Sequence, residues 1–180
     1  MELRHSSQNT KDFNELVGNA SDRAAGGLII SKSSGNILIA MRSSEVEHPD
    51  RLGIFGGRFD DYESPEEALE REIFEETGYP IFGPYKPLSI SYDRESDFAY
   101  HTHIAFAPDD FEPDLNWEHT KAEWVSLDEL VSKEPNQLHH GIAQLLQNEA
   151  VINELKSITN HYLNNMSKER SNDLDNEFSY

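Results

Sequence analysis

The segment SPEEALEREIFEETG, residues 64–78, reads as a helix with a clear start and stop, and that helix must carry three carboxylates on one arc. Ser64 is placed as N-cap, Pro65 at the first helical position and Glu67 at the capping-box position, while Gly78 supplies the stop. Each residue of a helix advances about 100°, so Glu72, Glu75 and Glu76, at i, i+3 and i+4, sit within one turn of each other. Like charges at that spacing oppose the helix by roughly 0.2–0.5 kcal/mol per pair. The acidity is concentrated: Gly57–Gly78 holds nine acids and two arginines, a net −7 in 22 residues. Leu69 and Ile73 flank the acidic arc, which puts the carboxylates at the edge of the packing face, and Ala68, one turn before Glu72, leaves room above them. Two readings fit this spacing. One is a solvated acidic face, the usual use of a charge run. The other is a site for a hard cation such as Mg2+ or Mn2+, which oxygen ligands suit.

Around this helix the chain mixes short strands and helices. GGLIIS (26–31) and NILIAMR (36–42), separated by KSSG, predict a hairpin. LGIFGGRF (52–59) is an apolar run broken by three glycines. Strands are predicted over 85–92, 99–107 and 122–125, and SLDEL (126–130) looks like a second Ser-capped helix start. From 138 to about 163, Ile142, Leu145, Leu146, Val151, Ile152, Leu155, Ile158 and Leu163 repeat at helical spacing, with a break near Asn148. The irregular alternation predicts an α/β fold, a mixed sheet with helices packed on it. A length of 180 residues suits one domain. The chain divides into a polar lead over 1–23, in which Phe13, Leu16 and Val17 suffice for one helical turn, a domain over 24–165 that includes the C-terminal helices, and a polar tail over 166–180, expected to be disordered.

With 34 acidic against 15 basic side chains the net charge is −19, the wrong sign for coating nucleic acid. An anionic ligand of such a chain needs cations to offset repulsion. Hydrophobic residues are only 36%, but 18 aromatics are enough to build a core. The absence of cysteine excludes disulfides, thiolate zinc sites and cysteine nucleophiles. No apolar run approaches the roughly 20 residues of a membrane span, and MELRHSSQNT lacks the apolar stretch of a signal peptide. The cytoplasm is the expected compartment.

Gly57, Glu63, Arg71, Glu72, Ile73, Glu75, Glu76 and Gly78 fall in register with G-x5-E-x7-R-E-U-x-E-E-x-G-U, where U is bulky and apolar. The chain thus resembles the Nudix hydrolases, with one soft departure, Tyr79 at the final U. The resemblance extends over about residues 24–147. It implies an α/β/α sandwich around a mixed sheet and hydrolysis of a nucleoside diphosphate linked to another group, by water attack on phosphorus, with Mg2+ (or Mn2+) held by the helix. Carried over residue by residue, Glu72 and Glu76 are the principal metal ligands, Glu75 shares a metal or its water, and the Gly56 carbonyl is a further ligand. Arg71 and Glu63 support them; Arg71, four residues before Glu75, can pin that carboxylate. Arg58 and Arg42 are candidates for phosphate contacts. Members of the family often recruit one more glutamate as catalytic base from a loop before a tryptophan-containing strand. Here Glu118 and Glu123 compete for that role, and the loop position favours Glu118.

Outside the box the signals are weaker. His101 and His103 share one face of a strand, where packing or the edge of a cleft explains them better than zinc. His139-His140 reads as a surface feature, Trp124 as core, and Trp117 as packing or a cover for a base. The positions at which ADP-ribose-specific members carry a proline hold Arg94 and Glu95, and those at which diadenosine polyphosphate hydrolases carry a tyrosine hold Glu95, Ser96 and Asp97. Neither signature is met, so ADP-ribose, a (d)NTP, an oxidised nucleotide and a dinucleoside polyphosphate all stand as substrates. The partner is a small nucleotide, and a homodimer is the assembly common in the family. The competing function is a nucleotide-sensing module of the same fold without turnover; such modules usually lose box glutamates, and this chain keeps them. An acidic metal buffer would need EF-hand-like loops, and none is present.

Overall fold

The computed structural model describes residues 10–177, with side chains over 13–165. In chain order the elements are α1 (Thr10–Gly18), β1 (Asp22–Ser31), β2 (Ile37–Arg42), β3 (Leu52–Gly53), β4 (Phe55–Arg58), α2 (Pro65–Thr77), β5 (Lys86–Asp93), β6 (Phe98–Ala107), β7 (His119–Val125), α3 (Leu127–Ser132), α4 (His140–Leu146) and α5 (Glu149–Glu177). The strands form one mixed sheet with the path β3-β2-β1-β6-β5, to which β4 adds beside β1 and β7 beside β2. Only β1 and β6 run parallel, in a ten-pair ladder from Asp22↔Phe98 to Ser31↔Ala107. β1 divides its other edge: Ile29 and Ile30 pair with β2, and Ala24–Gly27 pair with β4.

That division sets up the site, because it lays Gly56 and Gly57 beside Gly26 and Ala25 at the centre of the sheet. A strand covered on both faces is apolar throughout rather than alternating, which explains GGLII. Its odd and even positions serve different layers. Ala25 and Ile29, with Leu38 and Ala40 of β2, pack under Leu69 and Ile73 of α2. Leu28, Ile30, Ile37 and Ile39 face the other way, against α3, α4 and the start of α5 through Leu130, Ile142, Leu145, Val151 and Leu155. The result is helices on both faces of a mixed sheet, the α/β/α sandwich expected from the sequence.

Local rules account for the helix ends. Ser64 Oγ accepts from the Glu67 N–H at 3.2 Å, and Glu67 Oε2 accepts from the Ser64 N–H at 2.8 Å, a complete capping box. Ser126 and Glu129 repeat it for α3. The break near Asn148 is a new start: Asn148 Oδ1 accepts from the N–H groups of Ala150 and Val151, capping α5. Among the described residues no helix is long and apolar enough to cross a membrane.

Three sequence expectations change. β1 starts at Asp22, and α1 in the lead is ordered: Val17 and Ala20 are buried with Tyr92 and Ala99. Residues 1–9 lie outside the described residues. Residues 166–177 continue α5 instead of forming a disordered tail; the stretch lacks glycine and proline, so nothing in it stops a helix already begun. Residues 178–180 lie outside the described residues.

Candidate active site

The site is built where the C-terminal half of α2 crosses β4. The Gly56 N–H donates to Glu76 Oε2 at 2.7 Å, and Glu76 is 2% exposed. Glu72 lies over Gly57: a Cβ at position 57 would stand 2.4 Å from Glu72 Oε1 and 2.6 Å from Oε2. Any side chain there displaces the carboxylate, which is the physical reason for glycine at the start of the motif. Gly56, at φ 147°, has the same problem on its other side, since a Cβ would meet the Ala25 carbonyl oxygen at 2.2 Å.

Arg71 ties the acids together. Its Nε and Nη2 donate to the two Glu63 oxygens at 2.8 and 2.9 Å, a bidentate pair. Nη1 donates to Glu72 Oε1 at 2.8 Å and to Glu75 Oε2 at 3.3 Å, and Nη2 also reaches the Arg58 carbonyl at 2.8 Å. Glu63 in turn accepts from the Asp60 N–H at 2.8 Å. These bonds hold Glu63 below the usual carboxylate range, the Arg71 hydrogen bond first among them. Glu72 moves the other way, raised by burial and by the charges of Glu75 and Glu118 against the pull of Arg71. Glu76 is raised well above its ordinary value, by burial first and then by Glu118 and Glu72, with the Gly56 N–H opposing.

Glu118 therefore acts on both principal carboxylates although it lies 42 residues beyond Glu76. The loop that carries it is tied to the end of α2: the Asp114 N–H donates to the Thr77 carbonyl at 2.8 Å and the Asn116 N–H to the Glu76 carbonyl at 3.3 Å. Asn116 Oδ1 then accepts from the Glu118 N–H at 2.9 Å, and the Glu118 carbonyl accepts from Ser43. The last carbonyls of a helix need partners, and meeting that need positions the loop. Glu123 sits on β7 in ion pairs with Lys121 at 3.0 Å and Lys133 at 3.6 Å.

Beside the acids opens a cavity of about 440 Å3, lined among others by Gly56, Arg42, Arg58, Phe98, Tyr100 and His139. Arg58 pairs with Asp22, and Arg42 Nε donates to the Glu47 carbonyl at 2.9 Å. His48, His139 and His140 gather at this cavity, so the last two are more than a surface feature. Burial, then the His140 charge, lowers His139 to about 4; burial and His48 lower His140. His48 is too distant in sequence to have been linked to them from spacing. The His101 ring lies tilted beside Phe59, centroids 5.7 Å apart, and His103 Nε2 lies 3.7 Å from Glu66 Oε1. Trp124 packs in the core under α2 and donates to the Phe111 carbonyl at 2.8 Å, whereas Trp117 is exposed.

His119, next to Glu118, is buried against Phe55 with neither ring nitrogen hydrogen-bonded. Burial, reinforced by Arg42, lowers its pKa from 6.5 to about 4. The unfolded chain therefore takes up the proton first. Stability is full above pH 6.5 and falls as pH drops toward 4, by about 3 kcal/mol in all. Urea unfolding at pH 7 and pH 4.5 should show a smaller acid loss for His119→Leu than for the parent chain.

The side chains that converge are carboxylates, oxygen donors of the kind a hard cation prefers. Buried carboxylates that raise one another's pKa are short of positive charge, so the residues fit a divalent metal. Solved structures share the fold. A MutT protein from Methanosarcina mazei Go1 is 19% identical, with a TM-score of 0.59 over 76% of this chain and 93% of that one. A Nudix hydrolase from M. smegmatis is 23% identical, with a TM-score of 0.59 over 77% and 85%. A MutT NUDIX hydrolase from Burkholderia pseudomallei is 25% identical, with a TM-score of 0.53 over 71% and 97%. No curated protein matches the sequence. The NUDIX domain, however, matches residues 20–148, more than two thirds of the length, and the chain belongs to the NUDIX family.

Proposed function

We propose that this hydrolase is a Mg2+-dependent pyrophosphatase that cleaves a nucleoside diphosphate linked to another moiety, with water attacking phosphorus. The observation that carries the reading is the nearness of Glu72, Glu76 and Glu118, whose charges raise the pKa values of Glu72 and Glu76. Arg71 holds Glu63, Glu72 and Glu75, and Gly56, bonded to Glu76, stands at the wall of a cavity. Glu72, Glu76, Glu75 and the Gly56 carbonyl would hold the cation. When bound, the cation acidifies water, neutralises phosphate charge and steadies the leaving oxygen. The chain's own residues do the rest. Arg71 fixes the carboxylate rotamers, a positioning role, and Glu63 fixes Arg71. Glu118 takes the proton from the attacking water. Arg42 and Arg58, at the cavity wall, bind phosphate oxygens, and Phe98 and Tyr100 offer apolar surface to a base or sugar. Positioning and electrostatics of this kind supply most of the catalysis in reactions at phosphorus.

The substrate class is ADP-ribose, a (d)NTP or a dinucleoside polyphosphate. Turnover with Mg2+ against those three groups, read by product chromatography and phosphatase-coupled phosphate release, is expected to find cleavage of at least one at the diphosphate. Normal nucleotide affinity with no product from any of them would overturn the proposal in favour of a sensing module.

A further inference from the structure

We propose that His48, His139 and His140 form a second metal site, for a divalent transition metal of the zinc class, separate from the carboxylate cluster. One ligating nitrogen from each of the three lies within 4.8 Å of the others. Their ring centroids are 5.4 Å (His48–His139), 5.0 Å (His48–His140) and 4.1 Å (His139–His140) apart. Three imidazoles on a tetrahedral ion, with metal–nitrogen bonds of about 2.0–2.1 Å, place their nitrogens roughly 3.4 Å apart and their ring centres about 5 Å apart. Small side-chain rotations close the difference.

The two segments are fixed to each other by backbone. The His139 N–H donates to the Leu52 carbonyl at 2.8 Å, and Leu52 bridges Leu138 in parallel. The loop that carries His48 is pinned at its base, where the Arg42 N–H donates to the Arg51 carbonyl at 2.9 Å and the Asp50 N–H donates to the Arg42 carbonyl at 3.1 Å. His48 itself stands at φ 55°, a left-handed conformation uncommon for a residue with a Cβ, and Asp50 does the same at 56°. Hydrophobic packing does not explain the cluster, since His48 and His140 are exposed.

Nitrogen donors without a carboxylate select zinc, copper, cobalt or nickel over Mg2+. Three protein ligands would leave a fourth position open, and all three histidines line the cavity. The 3.3 Å bond that His139 Nδ1 accepts from the Gly141 N–H is long, and a cation using that lone pair displaces it. Arg42, whose charge also reaches these rings, lines the same cavity, so an ion here and Arg42 together would receive an anionic part of a ligand.

The test is Zn2+ binding by calorimetry in a large excess of Mg2+, with the visible absorption of Co2+ as a reporter of tetrahedral nitrogen ligation. The full chain is expected to bind a single equivalent. His48→Ala and His140→Ala, both at exposed side chains, should each weaken it more than about 100-fold, beyond the loss usual for an outer partner alone. Zn2+ binding that survives both changes but disappears in Glu76→Gln would place zinc at the carboxylates and overturn the proposal. So would no binding by the parent chain.

Discussion

Replacing Glu76 with Gln is expected to cut turnover by about 10³-fold, worth about 4 kcal/mol of transition-state stabilisation, while the metal-free fold melts no lower than before. The amide oxygen can still accept the 2.7 Å bond from the Gly56 N–H, so the contact between α2 and β4 survives. What disappears is the buried charge. Glu76 has a folded pKa raised by burial, Glu118 and Glu72, so the folded chain keeps a proton that the unfolded chain releases. Ionising it costs stability as pH rises from the ordinary carboxylate range through the folded value. The melting temperature of Glu76→Gln should therefore gain on the parent's as pH rises, then level off. Added Mg2+ should reverse the ranking, because a ligand that binds only the native state stabilises it and the variant binds less. Differential scanning fluorimetry across pH, with and without Mg2+, reads all three effects. Full turnover by the variant would remove the cluster from the mechanism.

Glu118→Gln is expected to lower kcat by about 10²–10⁴, the usual worth of general-base catalysis, with KM little changed. A carboxylate whose lone pairs are held by a cation is a poor base, so the base should be an acid near the cluster but outside the principal ligand pair. Glu118 meets that description through the Asn116 tether to α2, while Glu123 is occupied by Lys121 and Lys133. The variant's rate should recover as pH rises, since hydroxide needs no base, and Glu123→Gln should retain near-parent kcat. A silent Glu118→Gln beside an inactive Glu123→Gln would invert the assignment.

What the sequence disclosed was what it encodes locally. The capping box at Ser64, the stop at Gly78 and the restart at Asn148 each depend on residues within four positions, so they are readable and the structure has them. The family resemblance and the α/β/α fold stand for the same reason: the box is one contiguous stretch. β4 was not legible as a strand because FGGR has neither alternation nor β-propensity; it pairs because glycine alone fits between β1 and Glu72. α1 was underread because its apolar residues find their partners far along the chain, in Ile90, Tyr92 and Ala99. The loop position before Trp124 favours Glu118 over Glu123, but the tether of that loop to the Glu76 carbonyl is tertiary and leaves no mark on the sequence. The convergence of His48 on His139 and His140 is set by backbone contacts of Leu52 with Leu138 and His139 and by the bonds at the base of the His48 loop, and leaves no local trace.

The parallel ladder between β1 and β6 also bears on how quickly the molecule can assemble. It joins residues 76 apart in the chain, from Asp22 with Phe98 onward, and non-local pairing of that kind slows folding because loop closure must precede any gain in contacts. α2 has both ends stabilised by neighbours in sequence and can form early. β4 needs β1, and Glu118 joins only when its loop docks on the finished end of α2. Glu118 is thus expected to reach Glu72 and Glu76 late, after the surrounding layers have committed to the fold, which spares the early steps of folding its added opposition to the acids already on α2.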